Sequence, residues 1–62
     1  MKRGDLLRYL ERYGCRLERE GSRHSIYLNP GNGKKTSVPR HAEIDNRLVR
    51  KIYKQLDVPP RG

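Results

Sequence analysis

A chain of 62 residues with a net charge of +8 has room for one small domain, expected over residues 1–62, and for no large enclosed active site. A single cysteine excludes an internal disulfide and suits a reducing cytoplasm. No apolar run is long enough for a signal peptide or a transmembrane helix, so we expect no membrane association. The excess positive charge favours a polyanionic partner, of which nucleic acid is the commonest.

An apolar stripe at helical spacing predicts a first helix over residues 5–13. The stripe consists of Leu6, Leu7, Leu10 and Tyr13. Gly4 is expected to act as the N-cap, although glycine is a weaker cap than serine or aspartate. Gly14 stands where a residue in the left-handed conformation would end the helix.

Three short strands are predicted next, over residues 15–20, 24–28 and 34–38. In the first strand, Cys15 and Leu17 alternate with charged residues, which is typical of a half-buried strand, and Cys15 is expected to be a small buried hydrophobe. Gly21-Ser22 predicts a turn, and the glycine-rich residues 29–33 predict a hairpin loop. Pro39 is expected to end the third strand because proline cannot donate to a ladder.

A second apolar stripe predicts a helix over residues 45–57, with Asp45 as its N-cap. The stripe consists of Leu48, Val49, Ile52, Tyr53 and Leu56. The predicted order is therefore α-β-β-β-α, an α+β fold with a three-stranded antiparallel sheet and both helices on one face. Double-stranded-RNA-binding domains share this order of elements.

Positive charge is concentrated in residues 21–42, which contain no acidic residue and carry a net charge of +4 from Arg23, Lys34, Lys35 and Arg40. This distribution favours contacts with RNA phosphates at those side chains. The alternative interpretation is a solvated basic surface without a ligand.

Three segments together resemble the HicA toxins of bacterial toxin–antitoxin systems. Gly21-Ser22-Arg23-His24 is similar to the G-S-x-H signature of that family, and Val38-Pro39-Arg40-His41 is similar to its V-P-x-H segment. The basic helix Leu48–Leu56 is similar to the terminal helix of the family. The resemblance implies a double-stranded-RNA-binding-like fold, an endoribonuclease that cleaves mRNA, a HicB-type antitoxin as partner and His24 as the catalytic residue. Gly4 departs from the pattern, because family members often have a serine cap there.

RNA cleavage needs no protein nucleophile, because the RNA 2′-hydroxyl can attack its own phosphodiester. A histidine such as His24 suits the role of proton acceptor, since its pKa lies near neutrality. The side chains expected to contact RNA are Ser22, Arg23, Lys34, Lys35, Arg40 and His41. The Ser22 hydroxyl could instead bond the turn backbone, and His41 could be a second proton carrier or an ordinary loop histidine. The scattered acidic residues predict neither a metal site nor a cofactor.

The side of the sheet on which His24 lies stays open in the sequence. His24 shares its parity with Ile26 and Leu28, which would direct it toward the core. Alternatively the strand begins after His24, or Tyr27 is the inward residue and Ile26 and Leu28 are partly exposed. Two rival functions also stay open, namely a non-catalytic RNA-binding module and a basic surface for an acidic protein partner.

Overall fold

The computed structural model describes residues 1–61 and confirms the predicted order of elements. Helix α1 (Arg3–Arg12) is followed by strands β1 (Arg16–Glu20), β2 (His24–Asn29) and β3 (Lys34–Pro39), and then by helix α2 (Asn46–Leu56). The three strands form one antiparallel sheet in the order β1-β2-β3, so that β2 is the central strand. This is the α+β architecture expected from the sequence.

The helix ends follow the predicted chemistry at two of the three positions for which a residue was predicted. Asp45 caps α2, because its carboxylate accepts a 2.7 Å hydrogen bond from the Arg47 amide, and Gly14 has the predicted positive φ of 83°. The prediction of Gly4 as the N-cap is wrong, because α1 begins at Arg3 and Gly4 lies in its first turn. The Arg3 amide donates a hydrogen bond to the Ala42 carbonyl at 2.9 Å. This backbone bond takes the place of a bond to a capping side chain at the start of α1.

The core lies between the two helices and one face of the sheet. It consists of Leu6, Leu10, Cys15, Tyr27, Val38, Ile44, Val49, Ile52, Tyr53, Leu56 and Val58. Burial of each large apolar side chain contributes roughly 1.5–3 kcal/mol. Cys15 belongs to this core as predicted, and burial raises the pKa of its thiol. Tyr13 was expected to extend the stripe of α1 but is 47% exposed, since it lies beyond the last residue of the helix.

Strand β1 departs from the prediction of a half-buried strand, because all five of its residues are exposed. It is an edge strand, and its register with β2 shifts between Leu17 and Arg19. Leu17 therefore remains 46% exposed although it lies opposite the buried Tyr27. Charged residues and a bulge at a sheet edge discourage pairing with other chains.

No helix within residues 1–61 combines the length and the apolar character needed to span a bilayer.

Candidate active site

The phase of β2 places His24 on the open face of the sheet. Ser25 and Tyr27 are only 1% and 6% exposed and point toward the helices. His24 is exposed, and Ile26 and Leu28 are partly exposed, on the opposite face. Of the two explanations left open by the sequence, the inward orientation of Tyr27 is therefore correct. We call the face that carries His24, Ile26 and Leu28 the outer face.

A close backbone approach explains the glycine that begins the Gly21–His24 segment. The Gly21 amide donates a 2.8 Å hydrogen bond to the His24 carbonyl, which closes the turn between β1 and β2. A Cβ atom at position 21 would lie 3.0 Å from that same carbonyl oxygen. A larger residue would therefore displace the start of β2, where His24 lies.

Both histidines of the chain lie in one open depression at the end of the sheet. Its lining side chains are Arg23, His24, Arg40 and His41. The β-ladder creates this arrangement, because His24 is paired with Pro39 and the chain leaves β3 directly into Arg40 and His41. All four side chains are exposed, so a large substrate can reach them. Two imidazoles beside two guanidinium groups can exchange protons next to a bound phosphate.

Beneath the depression, a polar network ties it to α1. The Ser25 hydroxyl donates to Glu20 at 2.6 Å and accepts from the Arg3 guanidinium at 2.9 Å. Arg3 also donates to the Pro39 carbonyl at 2.9 Å, and Arg40 forms an ion pair with Glu20. The hydrogen bond from Ser25, with help from the nearby Arg40 and Arg3, holds the pKa of Glu20 below its usual range. The network therefore joins the end of β1 to the end of β3, on either side of the start of β2 where His24 lies.

Sequence reasoning missed three members of this network, Arg3, Glu20 and Ser25. The available signal was the phase of β2, since an inward Ser25 must find hydrogen-bond partners inside the fold. Residues 21–42 contain no acidic residue, but acidic side chains from outside this segment approach it in the fold. The fold brings Glu20 to Arg40 and places Glu18 2.9 Å from the Lys35 ammonium.

A comparison with protein-family models identifies the family of this chain. The model of the family described as the HicA toxin of bacterial toxin–antitoxin systems matches residues 3–58. The chain belongs to the HicA toxin family. Comparisons with curated proteins and with solved structures returned no match. The protein is therefore the toxin of a toxin–antitoxin system, and an antitoxin is its expected partner.

The other side chains of the HicA toxin that were predicted to contact RNA lie outside the depression. Ser22 lies in the exposed bend before β2, next to the depression. Lys34 and Lys35 lie at the other end of β3, where they pair with Asn29 and Leu28 rather than with His24. Lys35 shares the outer face with His24, whereas Lys34 shares the parity of the residues that point toward the helices.

Potential metal-binding side chains do not cluster in the part of the HicA toxin that the structure describes. Among residues 1–61, no three His, Cys, Asp or Glu side chains are arranged so that they could hold an ion. The side chains that line the depression supply imidazole and guanidinium groups.

Proposed function

We propose that this HicA toxin is an endoribonuclease that cleaves mRNA in the cytoplasm, with His24 as its catalytic residue and without a metal ion or other cofactor. One observation carries the proposal, namely that both histidines share an open depression with Arg23 and Arg40. Membership of the HicA toxin family supports a toxic activity for the same chain.

The proposed reaction is a transesterification within the RNA. His24 accepts the proton of a 2′-hydroxyl, whose oxygen attacks the adjacent phosphorus. The bond from phosphorus to the 5′-oxygen then breaks, which leaves a 2′,3′-cyclic phosphate and a 5′-hydroxyl end. A proton must reach the leaving 5′-oxygen, and His41 is the other imidazole available in the depression.

Arg23 and Arg40 are the proposed electrostatic partners of the reaction. The pentacoordinate phosphorane carries more negative charge than the starting diester, and guanidinium groups aimed at its oxygens stabilise it preferentially. Ser22 stands close enough in the chain to contact a neighbouring phosphate. Lys35 and Lys34 are proposed to bind phosphates farther along the RNA.

The proposed partner is a HicB-type antitoxin that covers the segment from Gly21 to His24 and so keeps RNA from the depression. Hydrogen exchange of the toxin with and without this antitoxin tests the proposal. We expect slower exchange of the amides around His24. Protection limited to residues 1–13 would contradict it.

The activity itself is tested with purified toxin and a short unstructured RNA in excess EDTA. Wild-type toxin should produce cyclic-phosphate ends, and His24→Ala should bind the same RNA without cleaving it. A folded wild-type protein that binds RNA but never cuts it would instead be a non-catalytic RNA-binding module. Activity lost on chelation and restored by Mg²⁺ would contradict the metal-free mechanism.

A further inference from the structure

The outer face of the sheet carries an ordered set of side chains beyond the depression. In the register of the strands, His24 lies opposite Pro39, Ile26 lies between Arg19 and Ser37, and Leu28 lies between Arg16 and Lys35. Successive rows along β2 are about 6.6 Å apart, because residues that share a face are two positions apart. The rows therefore lead away from His24 in regular steps.

The chemistry of these rows is apolar on β2 and mainly cationic on β1 and β3, with Glu18 of β1 paired to Lys35 of β3. Ile26 and Leu28 are partly exposed in the central strand, while Arg16 and Arg19 are exposed on β1. The Lys35 side chain is 54% exposed on β3, where Glu18 approaches it at 2.9 Å. We call this surface the outer track, and it consists of Arg16, Arg19, Ile26, Leu28 and Lys35.

The outer track begins beside the proposed catalytic residue. Arg19 pairs with Ile26, so it is a diagonal neighbour of His24 across β1 and β2. Diagonal neighbours on one face of a sheet are about 7–8 Å apart. A polymer that occupies the track therefore continues directly into the depression.

We infer that the outer track binds single-stranded RNA along β2, with unpaired bases on Ile26 and Leu28 and phosphates at Arg16 and Arg19. This inference rests on the proposed function, and it specifies the substrate class of the same site. An unpaired strand offers its base faces to apolar side chains and guanidinium planes, whereas a duplex keeps its bases stacked inside. The exposed Arg16 and Arg19 complement the phosphates of such a strand, while the acidic Glu18 between them is paired with Lys35.

The test measures binding of a fluorescent 2′-O-methyl oligouridylate, which lacks the hydroxyl nucleophile and is read out without cleavage. Arg16→Gln/Arg19→Gln should flatten the plot of log affinity against log salt by about 1.4, at about 0.7 for each lost phosphate contact. Over the tenfold range from about 1 M to 0.1 M salt, a slope change of about 1.4 corresponds to binding at 0.1 M that is weaker by about 25-fold. Ile26→Thr should weaken binding without changing the slope, because it removes an apolar contact and no charge.

The matched control is Arg50→Gln/Lys51→Gln, which removes the same charge from exposed positions of α2. This control should leave both the affinity and the salt slope near wild type. An equal effect of the two double variants would mean that net charge alone attracts RNA, and it would overturn the inference. A duplex competitor that displaces the probe as well as a single strand does would also overturn it. Circular dichroism melts confirm that the variants are folded, and the single variant Arg16→Gln repeats the test if the double variant is not.

Cleavage kinetics separate failure of this inference from failure of the proposed function. With unmodified RNA, Arg16→Gln/Arg19→Gln should raise KM and preserve kcat, because binding energy is lost equally from the ground and transition states. If this variant binds and cleaves RNA normally while His24→Ala is inactive, the outer track is wrong and the proposed function stands. If the variant loses only binding to an acidic antitoxin, the track is a protein-binding surface and the inference fails.

Discussion

Arg40 forms an ion pair with Glu20, whose carboxylate also accepts a hydrogen bond from the hydroxyl of the buried Ser25. One carboxylate therefore connects the last residue of β1 with the segment that follows β3. The depression around His24 depends on the position of that segment, because the segment carries both Arg40 and His41. Glu20 also offers Arg40 a negative partner where we propose that RNA phosphates bind.

The first prediction concerns the stability that Glu20 contributes. Glu20→Gln keeps the shape of the side chain and removes its charge, so it should destabilise the fold at neutral pH. The pKa of Glu20 is lowered in the folded protein, mainly by the hydrogen bond from Ser25. The contribution of its charge is therefore complete above the unfolded-state pKa and is lost as the pH falls through the lower folded-state pKa.

Urea denaturation of wild type and Glu20→Gln across acid and neutral pH measures this difference directly. The two proteins should differ in free energy of unfolding at neutral pH and converge in acid. Glu11→Gln is a suitable control, because it removes the same charge from an exposed side chain on α1. A difference between wild type and Glu20→Gln that does not change with pH would show that the charge of Glu20 is not involved.

A second prediction follows from the approach of Gly21 to the His24 carbonyl. Gly21→Ala places a methyl group 3.0 Å from that oxygen, so the turn must open. We expect a loss of about 1–3 kcal/mol in the free energy of unfolding, the usual cost of an overpacked position. A displacement of His24 by about 1 Å would also reduce cleavage by up to about 100-fold.

The neighbouring Ser22→Ala variant is the control for that prediction, because Ser22 is exposed and its loss should change stability by no more than about 0.5 kcal/mol. Denaturation of both variants provides the comparison of stability, and the cleavage rate of Gly21→Ala is compared with that of wild type. If Gly21→Ala is as stable and as active as wild type, the turn tolerates a side chain and the close approach is not required.

The sequence predicted the elements well because their signals are local. The apolar stripe that ends at Leu56 and the proline that ends β3 act within a few residues, and both elements end where expected. The exposure of Leu17 was not predictable in the same way. It depends on β1 lying at the edge of the sheet, which is a property of the assembled fold.

The candidate site was predictable in part. The resemblance of residues 21–24 and 38–41 to HicA segments singled out His24 and His41, and the pairing of His24 with Pro39 places them in one depression. Counting charges could not show that Lys34 and Lys35 lie on opposite faces of the sheet, because their orientations depend on how β3 pairs with β2. The hydrogen bond between Arg3 and Ser25 joins residues 22 positions apart in the chain, so no local sequence pattern could predict it.

The two hairpin lysines provide a third prediction. Lys35 lies on the outer face and Lys34 has the opposite parity. Lys35→Gln should therefore flatten the salt dependence of RNA binding by about 0.7, the value for one single-strand phosphate contact. Lys34→Gln removes the same charge from the adjacent residue and should have a smaller effect. Equal slopes for the two variants would show that binding follows net charge rather than the face of the sheet.

The fourth prediction concerns His24. His24→Ala should reduce RNA cleavage by about 10²–10⁴-fold, the usual cost of losing a general acid–base group. It should leave RNA binding nearly intact, because the proposed phosphate contacts come mainly from arginine and lysine. Since His24 is exposed, its replacement should change stability by no more than about 0.5 kcal/mol. Expression of the variant in cells should consequently be tolerated where the wild-type toxin arrests growth.

His41→Ala is the matched variant, because it removes the other imidazole from the same depression. If His41 supplies the proton to the leaving 5′-oxygen, its loss should lower kcat and remove one limb of the pH–rate profile, since that limb reports an essential acid. An unchanged profile would leave water as the proton donor and His24 as the single catalytic residue. A folded His24→Ala protein that cleaves at the wild-type rate would contradict the assignment of His24, and a circular dichroism melt of each variant establishes that it is folded.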